Sequence, residues 1–208
     1  MPNLHKLFSV VFFVLFSVLT AQTTTSITNG NWTVAATWDN GVPTASVHAV
    51  IAHTVTIQTE TVYVKNLTIN VGATLNASAF FAKIRVKGDW TNNGTFSTSA
   101  TGEVSFNSAA RNQIVDPGGD TFPDLILNNS GFTILISDDI DINGDLTFEA
   151  GTLDLDTNDK NINIDGDVDI TSGATWTKGS GTVTFDGTDQ EYTDNNGSPS
   201  NIGDVVVD

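Results

Sequence analysis

The side chains able to do chemistry in this chain form a short inventory. Three histidines are present, His5, His48 and His53, and there is no cysteine. Thiolate zinc sites and thiol chemistry are thereby excluded. His5 falls in an apolar leader. His48 and His53 stand five residues apart in strand-like sequence, an odd spacing that puts them on opposite faces of a strand. They do not make a metal pair, and no G-x-S-x-G phrase supplies a nucleophile for either. The chain is expected not to be an enzyme.

Carboxylates are abundant. They recur as Asp139, Asp141, Asn143, Asp145 and then Asn161, Asn163, Asp165, Asp167, Asp169, alternating with Ile, Leu and Val. Two carboxyl groups at a suitable separation are what a glycosidase needs. Alternation, however, sends the apolar residues inward and the acids outward, and a catalytic acid needs burial to raise its pKa. Calcium is the sharper reading. Asp139-x-Asp141-x-Asn143-Gly144 begins like an EF-hand loop, but its twelfth position is Ala150 instead of Glu. The G-G-x-G-x-D repeat of calcium-binding β-rolls is missing too. Weak surface calcium on Asp139, Asp141, Asp145, Asp165, Asp167 and Asp169 remains as an expectation, because a divalent ion relieves stacked like charges. A simply solvated acidic face is its competitor.

Two further groups could bind a ligand. Lys83, Arg85 and Lys87 alternate with Ile84 and Val86, so all three project outward from one strand. They suit an acidic polysaccharide or the acidic half of another copy. Trp32, Trp38 and Trp90 could stack on sugar rings, although tryptophans beside strand starts also serve as core. A cell-surface or extracellular polysaccharide is therefore the expected partner. Nucleic acid is not: the net charge is −16, and phosphate binding needs the opposite sign. The charge is uneven. Residues 1–111 carry 6 Lys/Arg and 4 Asp/Glu, whereas residues 112–208 carry 2 and 20.

The elements that position these residues begin after residue 21. Lys6 precedes an apolar run from Leu7 to Leu19, and Ala21 precedes Gln22. This is the layout of a signal peptide cleaved after Ala21. The run falls short of the ~20 residues of a membrane span. The mature chain is expected to be secreted or held on the outer cell surface, with no membrane span of its own. Without disulfides it must be held by packing and backbone hydrogen bonds.

Helical periodicity is absent from the mature chain. Short β-branched runs recur instead, such as Val47–Ile51, Ile84–Val86, Ile140–Ile142, Ile162–Ile164 and Thr182–Phe185, punctuated by Gly, Asn, Asp and Ser. The runs repeat. Ile84-Arg85-Val86-Lys87-Gly88-Asp89-Trp90 matches Ile162-Asn163-Ile164-Asp165-Gly166-Asp167-Val168 at an offset of 78. Gly102 to Asn107 matches Gly181 to Asp186 at 79, and Asp124 to Asn128 matches Asp204 to Asp208 at 80. A third copy of the opening phrase runs from Ile140 to Leu146, 22 residues before the one at Ile162. A subunit near 20 residues is the size of one solenoid coil, so the 80-residue module should hold roughly four coils. The expected fold is all-β, a right-handed parallel β-helix. The Gly-Asp pairs are expected to turn the chain through glycine's tolerance of positive φ. The competing architecture is an antiparallel sandwich, with hairpins at Asn93-Gly94, Asn143-Gly144 and Asn196-Gly197.

Three segments follow: a signal peptide at 1–21, an N-terminal β-rich cap at 22–82, and β-helix repeats at 83–208. The cap does not share the repeat, and Trp32 and Trp38 are placed to lid the open end of the core. The last strand reaches Asp208 with no capping sequence after it, so a longer protein is expected.

Asn31-Trp32-Thr33, Ala36-Thr37-Trp38, Gly41-Val42-Pro43, Val50-Ile51, His53-Thr54-Val55-Thr56 and Asn66-Leu67-Thr68-Ile69 together resemble the opening of G8-like β-rich domains. Gly88-Asp89-Trp90-Thr91-Asn92-Asn93-Gly94-Thr95-Phe96 and Gly151-Thr152-Leu153-Asp154-Leu155 look like large repetitive surface proteins of the Bacteroidetes type. The resemblance implies a parallel β-helix, export, and a structural or adhesive role as a surface stalk or display surface. The alternative is a carbohydrate-binding module or a non-catalytic part of a polysaccharide-active enzyme.

Overall fold

The computed structural model describes residues 22–58, 61–99 and 101–208; the signal-peptide reading therefore lies outside the described residues. The short β-branched runs form strands, and every strand pairing is parallel. The described chain winds into a β-solenoid of about 8 turns. Among the described residues the single antiparallel pairing is an isolated bridge between Ser26 and Trp38. The Asn-Gly phrases therefore turn corners of coils and close no hairpin.

Three ladders run along the solenoid. The first stacks Thr23–Thr25, His48–Ile51, Leu67–Ile69, Trp90–Asn92 and Gln113–Asp116, continuing through the far ends of Asp124–Ile136 and Leu146–Asp154 to Thr175–Thr177. The second stacks Gly30–Asn31, Thr54–Thr56, Thr74–Ala77 and Thr95–Thr98. It resumes as Ile140–Ile142, Ile162–Ile164, Thr182–Phe185 and Asp204–Val207. Phe122 bridges to Ile142 at the junction of its two halves. The third stacks Thr61–Val64, Lys83–Val86, Glu103–Phe106, the near ends of Asp124–Ile136 and Leu146–Asp154, Val168–Ile170 and Tyr192–Asp194.

Alternation holds in most of these strands, though Asp204–Val207 is exposed along its whole length. Ile140–Ile142, Ile162–Ile164 and Val168–Ile170 each bury their outer two residues and turn the middle one out. The buried residues form one continuous core. Near its middle, Trp90 packs against Phe96 and Phe122 with ring centroids 4.8 and 5.3 Å apart, and Phe106 closes the cluster 6.1 Å from Phe122. Each such ring removes a large apolar surface from water, and edge-on packing adds to it.

The segment 22–82 is not a separate layer. Its strands share the three ladders with those beyond residue 83. The cap is its first turn, where Trp32 and Trp38 meet edge to face at 5.2 Å and the Trp38 indole N–H donates to the Trp32 carbonyl at 2.8 Å. A 3-10 turn at Ala35–Thr37 carries the chain between them.

Two expectations about the repeat are corrected. The matching phrases lie on different ladders: Lys83–Val86 is on the third and Ile162–Ile164 on the second. The 80-residue module is therefore one face short of four whole coils, and its second copy is rotated by a face. The Gly-Asp glycines also do a different job. Gly88, Gly144 and Gly166 do not have positive φ. They are glycine because adjacent coils approach too closely for a Cβ, which would collide with Asn66, Asp124 and the Gly144 backbone respectively. Gly166→Ala should lower stability by about 1–3 kcal/mol, since a coil must move to admit the methyl group. Urea denaturation followed by circular dichroism measures this; an unchanged midpoint would contradict the close-approach argument.

Candidate functional site

A coil that turns a corner leaves backbone N–H groups outside the strand ladders, and a buried or half-buried N–H must find an acceptor. Side chains of Asp and Asn in the preceding coil supply it. At the corner between the second and third faces, Asp124 Oδ1 accepts from the Asp145 N–H at 3.1 Å, Asp145 Oδ1 from the Asp167 N–H at 2.9 Å, and Asp167 Oδ1 from the Glu191 N–H at 2.8 Å. At the corner between the third and first faces, Asn66, Asp89 and Asn112 do the same for Asp89, Ile114 and Thr133. Between the first and second, Asn29 serves Thr54, Asp139 serves Asn161, and Asn161 serves Thr182. The acids read as an outward-facing ladder are thus partly a corner-stitching device.

The residues expected to hold calcium are thereby divided. Asp139, Asp145 and Asp167 are engaged at corners. The Asn161 backbone N–H holds the Asp139 carboxyl below the usual carboxylate range. Asp169 accepts from the Asn195 amide at 3.1 Å. Asp141 and Asp165 lie on the second face with Asp186, a residue the sequence reading did not single out. Burial and then the Asp186 carboxylate push both of them above the usual range. Asp141 also lines a polar groove of about 570 Å³ on that face, with Asp120, Asp139, Asn161, Asn163 and Thr184. Among the described residues no three Asp, Glu or His side chains converge as a metal-ligand set.

The basic strand projects outward as expected, and one acid of the next coil meets two of its three cations. Lys83 Nζ lies 2.7 Å from Glu103 Oε2, and Arg85 pairs with the other oxygen of the same carboxylate. Burial works against ionisation of Glu103, yet hydrogen bonds from Lys83 and Arg85 hold it below the usual carboxylate range. Lys87 donates to the Asn107 carbonyl at 3.0 Å. Two coils thus clamp each other through one acid.

The three candidate sugar-stacking tryptophans are elsewhere altogether. Trp32, Trp38 and Trp90 are 1%, 3% and 1% exposed. Their faces are spent on the core, so none is open to a ligand; alternation alone would have placed Trp90 inside. His48 projects from the first face with burial and Lys65 lowering its pKa, while His53 Nδ1 lies 2.7 Å from the Ser26 carbonyl. The structure does not bring the two together as partners.

No family model matches the chain, and neither the curated proteins nor the solved structures yield a match.

Sequence reasoning passed over two kinds of residue. Gln113 and Gln190 are the first. The Gln113 amide donates to the carbonyls of Val86 and Gly88 and accepts from the Ser108 N–H; Gln190 does the same with Ile164, Gly166 and Gly187. Each glutamine reads the Gly-Asp phrase of the preceding coil, a contact that the copies at Ile84 and Ile162 share. The second kind is the exposed pair Phe80 and Phe81. Two consecutive aromatics break the alternation of a strand, and that was the available signal.

Two outcomes test this arrangement. Asp145→Ala should cost about 1 kcal/mol by leaving the Asp167 N–H without its acceptor, whereas Asp145→Asn, which keeps an oxygen there, should cost little; paired thermal melts decide. Asp165→Asn should raise Tm at neutral pH. A carboxyl with a raised folded-state pKa contributes stability below the unfolded value and loses it as pH rises through the folded value. The advantage of the amide should therefore disappear below the ordinary carboxylate range. A melt series from pH 3 to 7 showing a constant difference would refute it.

Proposed function

We propose that this chain is an exported, non-catalytic structural and adhesive β-solenoid, presented in the extracellular space or on the outer cell surface as a stalk or display surface. The observation that carries the reading is where its polar chemistry goes. Corner carboxylates and amides accept backbone N–H groups from the next coil, and Lys83, Arg85 and Glu103 join neighbouring coils. Many of the side chains that the sequence offered to a ligand, Asp139, Asp145, Asp167, Lys83 and Arg85 among them, are engaged between coils. A solenoid of about 8 turns, advancing roughly 4.8 Å per turn, gives a short rigid rod with repeated faces. Such a body suits spacing and display.

The apolar leader at Leu7–Leu19 and the small residue Ala21 supply the export part of the reading. The acidic half keeps the exported rod dispersed. The resemblance to repetitive Bacteroidetes-type surface proteins agrees with the same role.

Expression in a bacterium with the leader intact, followed by intact-mass measurement and antibody labelling of unpermeabilised cells, tests it. The expected mature chain begins at Gln22 and is found in the medium or labelled on intact cells. Retention of the unprocessed chain in the cytosol, or polysaccharide turnover by the purified chain, would refute the reading.

A further inference from the structure

Large aromatic side chains among the described residues are mostly buried, whereas Phe80 and Phe81 are 69% and 64% exposed. They sit in the turn between Thr74–Ala77 of the second face and Lys83–Val86 of the third. Their ring centroids lie 6.5 Å apart with planes inclined at 48°. The turn is tied to the next coil. The Ala82 N–H donates to the Ala79 carbonyl at 3.3 Å, the Phe81 N–H to Thr101 Oγ1 of the next coil at 3.3 Å, and Ser99 Oγ to the Ala79 carbonyl at 3.2 Å. Phe81 has φ of 63°, a conformation that a bulky residue adopts only at a cost. Burial of the ring does not offset that cost, because the ring is in solvent.

The surroundings are polar. Asn76 and Ser97 are register partners projecting from the second face, and Ser78 hydrogen-bonds to Asn76. Lys83 follows two residues later on the third face. There Tyr63, 49% exposed, is the register partner of Arg85. A stable protein interface buries about 800 Å² on each side. Two phenyl rings on a turn tied to Ser99 and Thr101 fall well short of that. They match one or two sugar rings, whose C–H faces pack on aromatic rings while their hydroxyls reach amide and hydroxyl groups beside them.

We propose that Phe80 and Phe81 form a preorganised stacking shelf for the sugar rings of a polysaccharide crossing this corner. The assignment rests on the adhesive reading above and names its ligand class. It moves the contact away from Trp32, Trp38 and Trp90 to aromatics that a ligand can reach.

Electrophoresis of the purified chain through gels containing xylan, hydroxyethylcellulose, laminarin or alginate tests it, with Phe80→Ala and Phe81→Gly run alongside. At least one gel should retard the native chain, and each variant should weaken that retardation roughly tenfold or more in Kd. Phe81→Gly should melt at the same temperature or higher, since glycine adopts positive φ without strain. No retardation in any gel, or equal retardation of both variants, would overturn the proposal. So would a lower Tm for Phe81→Gly, which would make the ring structural. Binding to phosphatidylglycerol vesicles without retardation in any gel would give the rings to a lipid surface and overturn it too. These readouts do not depend on where the protein resides, so failure of the shelf and failure of the export reading are told apart.

Discussion

A solenoid closes on itself only if each corner satisfies the backbone that its strands leave behind. Strand ladders take care of the three faces, but a corner N–H points along the axis toward a coil that offers no ladder partner. Here short Asp and Asn side chains reach across the gap, one coil to the next, as in the run Asp124, Asp145, Asp167 and Glu191. Longer side chains would have to fold back, and apolar ones would leave the donor unsatisfied. The rest follows from this constraint. The corner glycines at 88, 144 and 166 exist because the reaching side chain fills the space a Cβ would take.

The same constraint accounts for the composition. Much of the acidic character of residues 112–208 reads at first as surface charge for solubility or ions. Several of those carboxylates work as hydrogen-bond acceptors, and an amide serves in their place at Asn66, Asn112 and Asn161. Net charge therefore accumulates as a by-product where the chain uses Asp instead of Asn. It also has a cost: Asp141, Asp165 and Asp186 crowd one face, and burial with mutual repulsion raises the pKa of the first two.

Function in such a rod is written on what the scaffold does not consume. Lys83 and Arg85 share the one carboxylate of Glu103 in the next coil, and the tryptophans fill the core. The Phe80–Phe81 turn is different, since its rings are exposed and Phe81 takes a positive φ.

The sequence by itself determined the fold class and the inside-outside sense of most strands. Period-two alternation in phrases such as Ile162-Asn163-Ile164 decides which face is buried, and repeats near 20 residues cannot bury their apolar halves alone. Only the tertiary structure decided the register between coils. That register places Asp145 under the Asp167 N–H, Arg85 beside Glu103, and the second copy of the 80-residue phrase one face away from the first. Corner lengths set it, and corners differ, two residues at 65–66 against seven at 155–161, in ways that period-two patterns do not record. Exposure of Phe80 and Phe81 was decided at the same level, because a turn residue has no alternation to say which way it points.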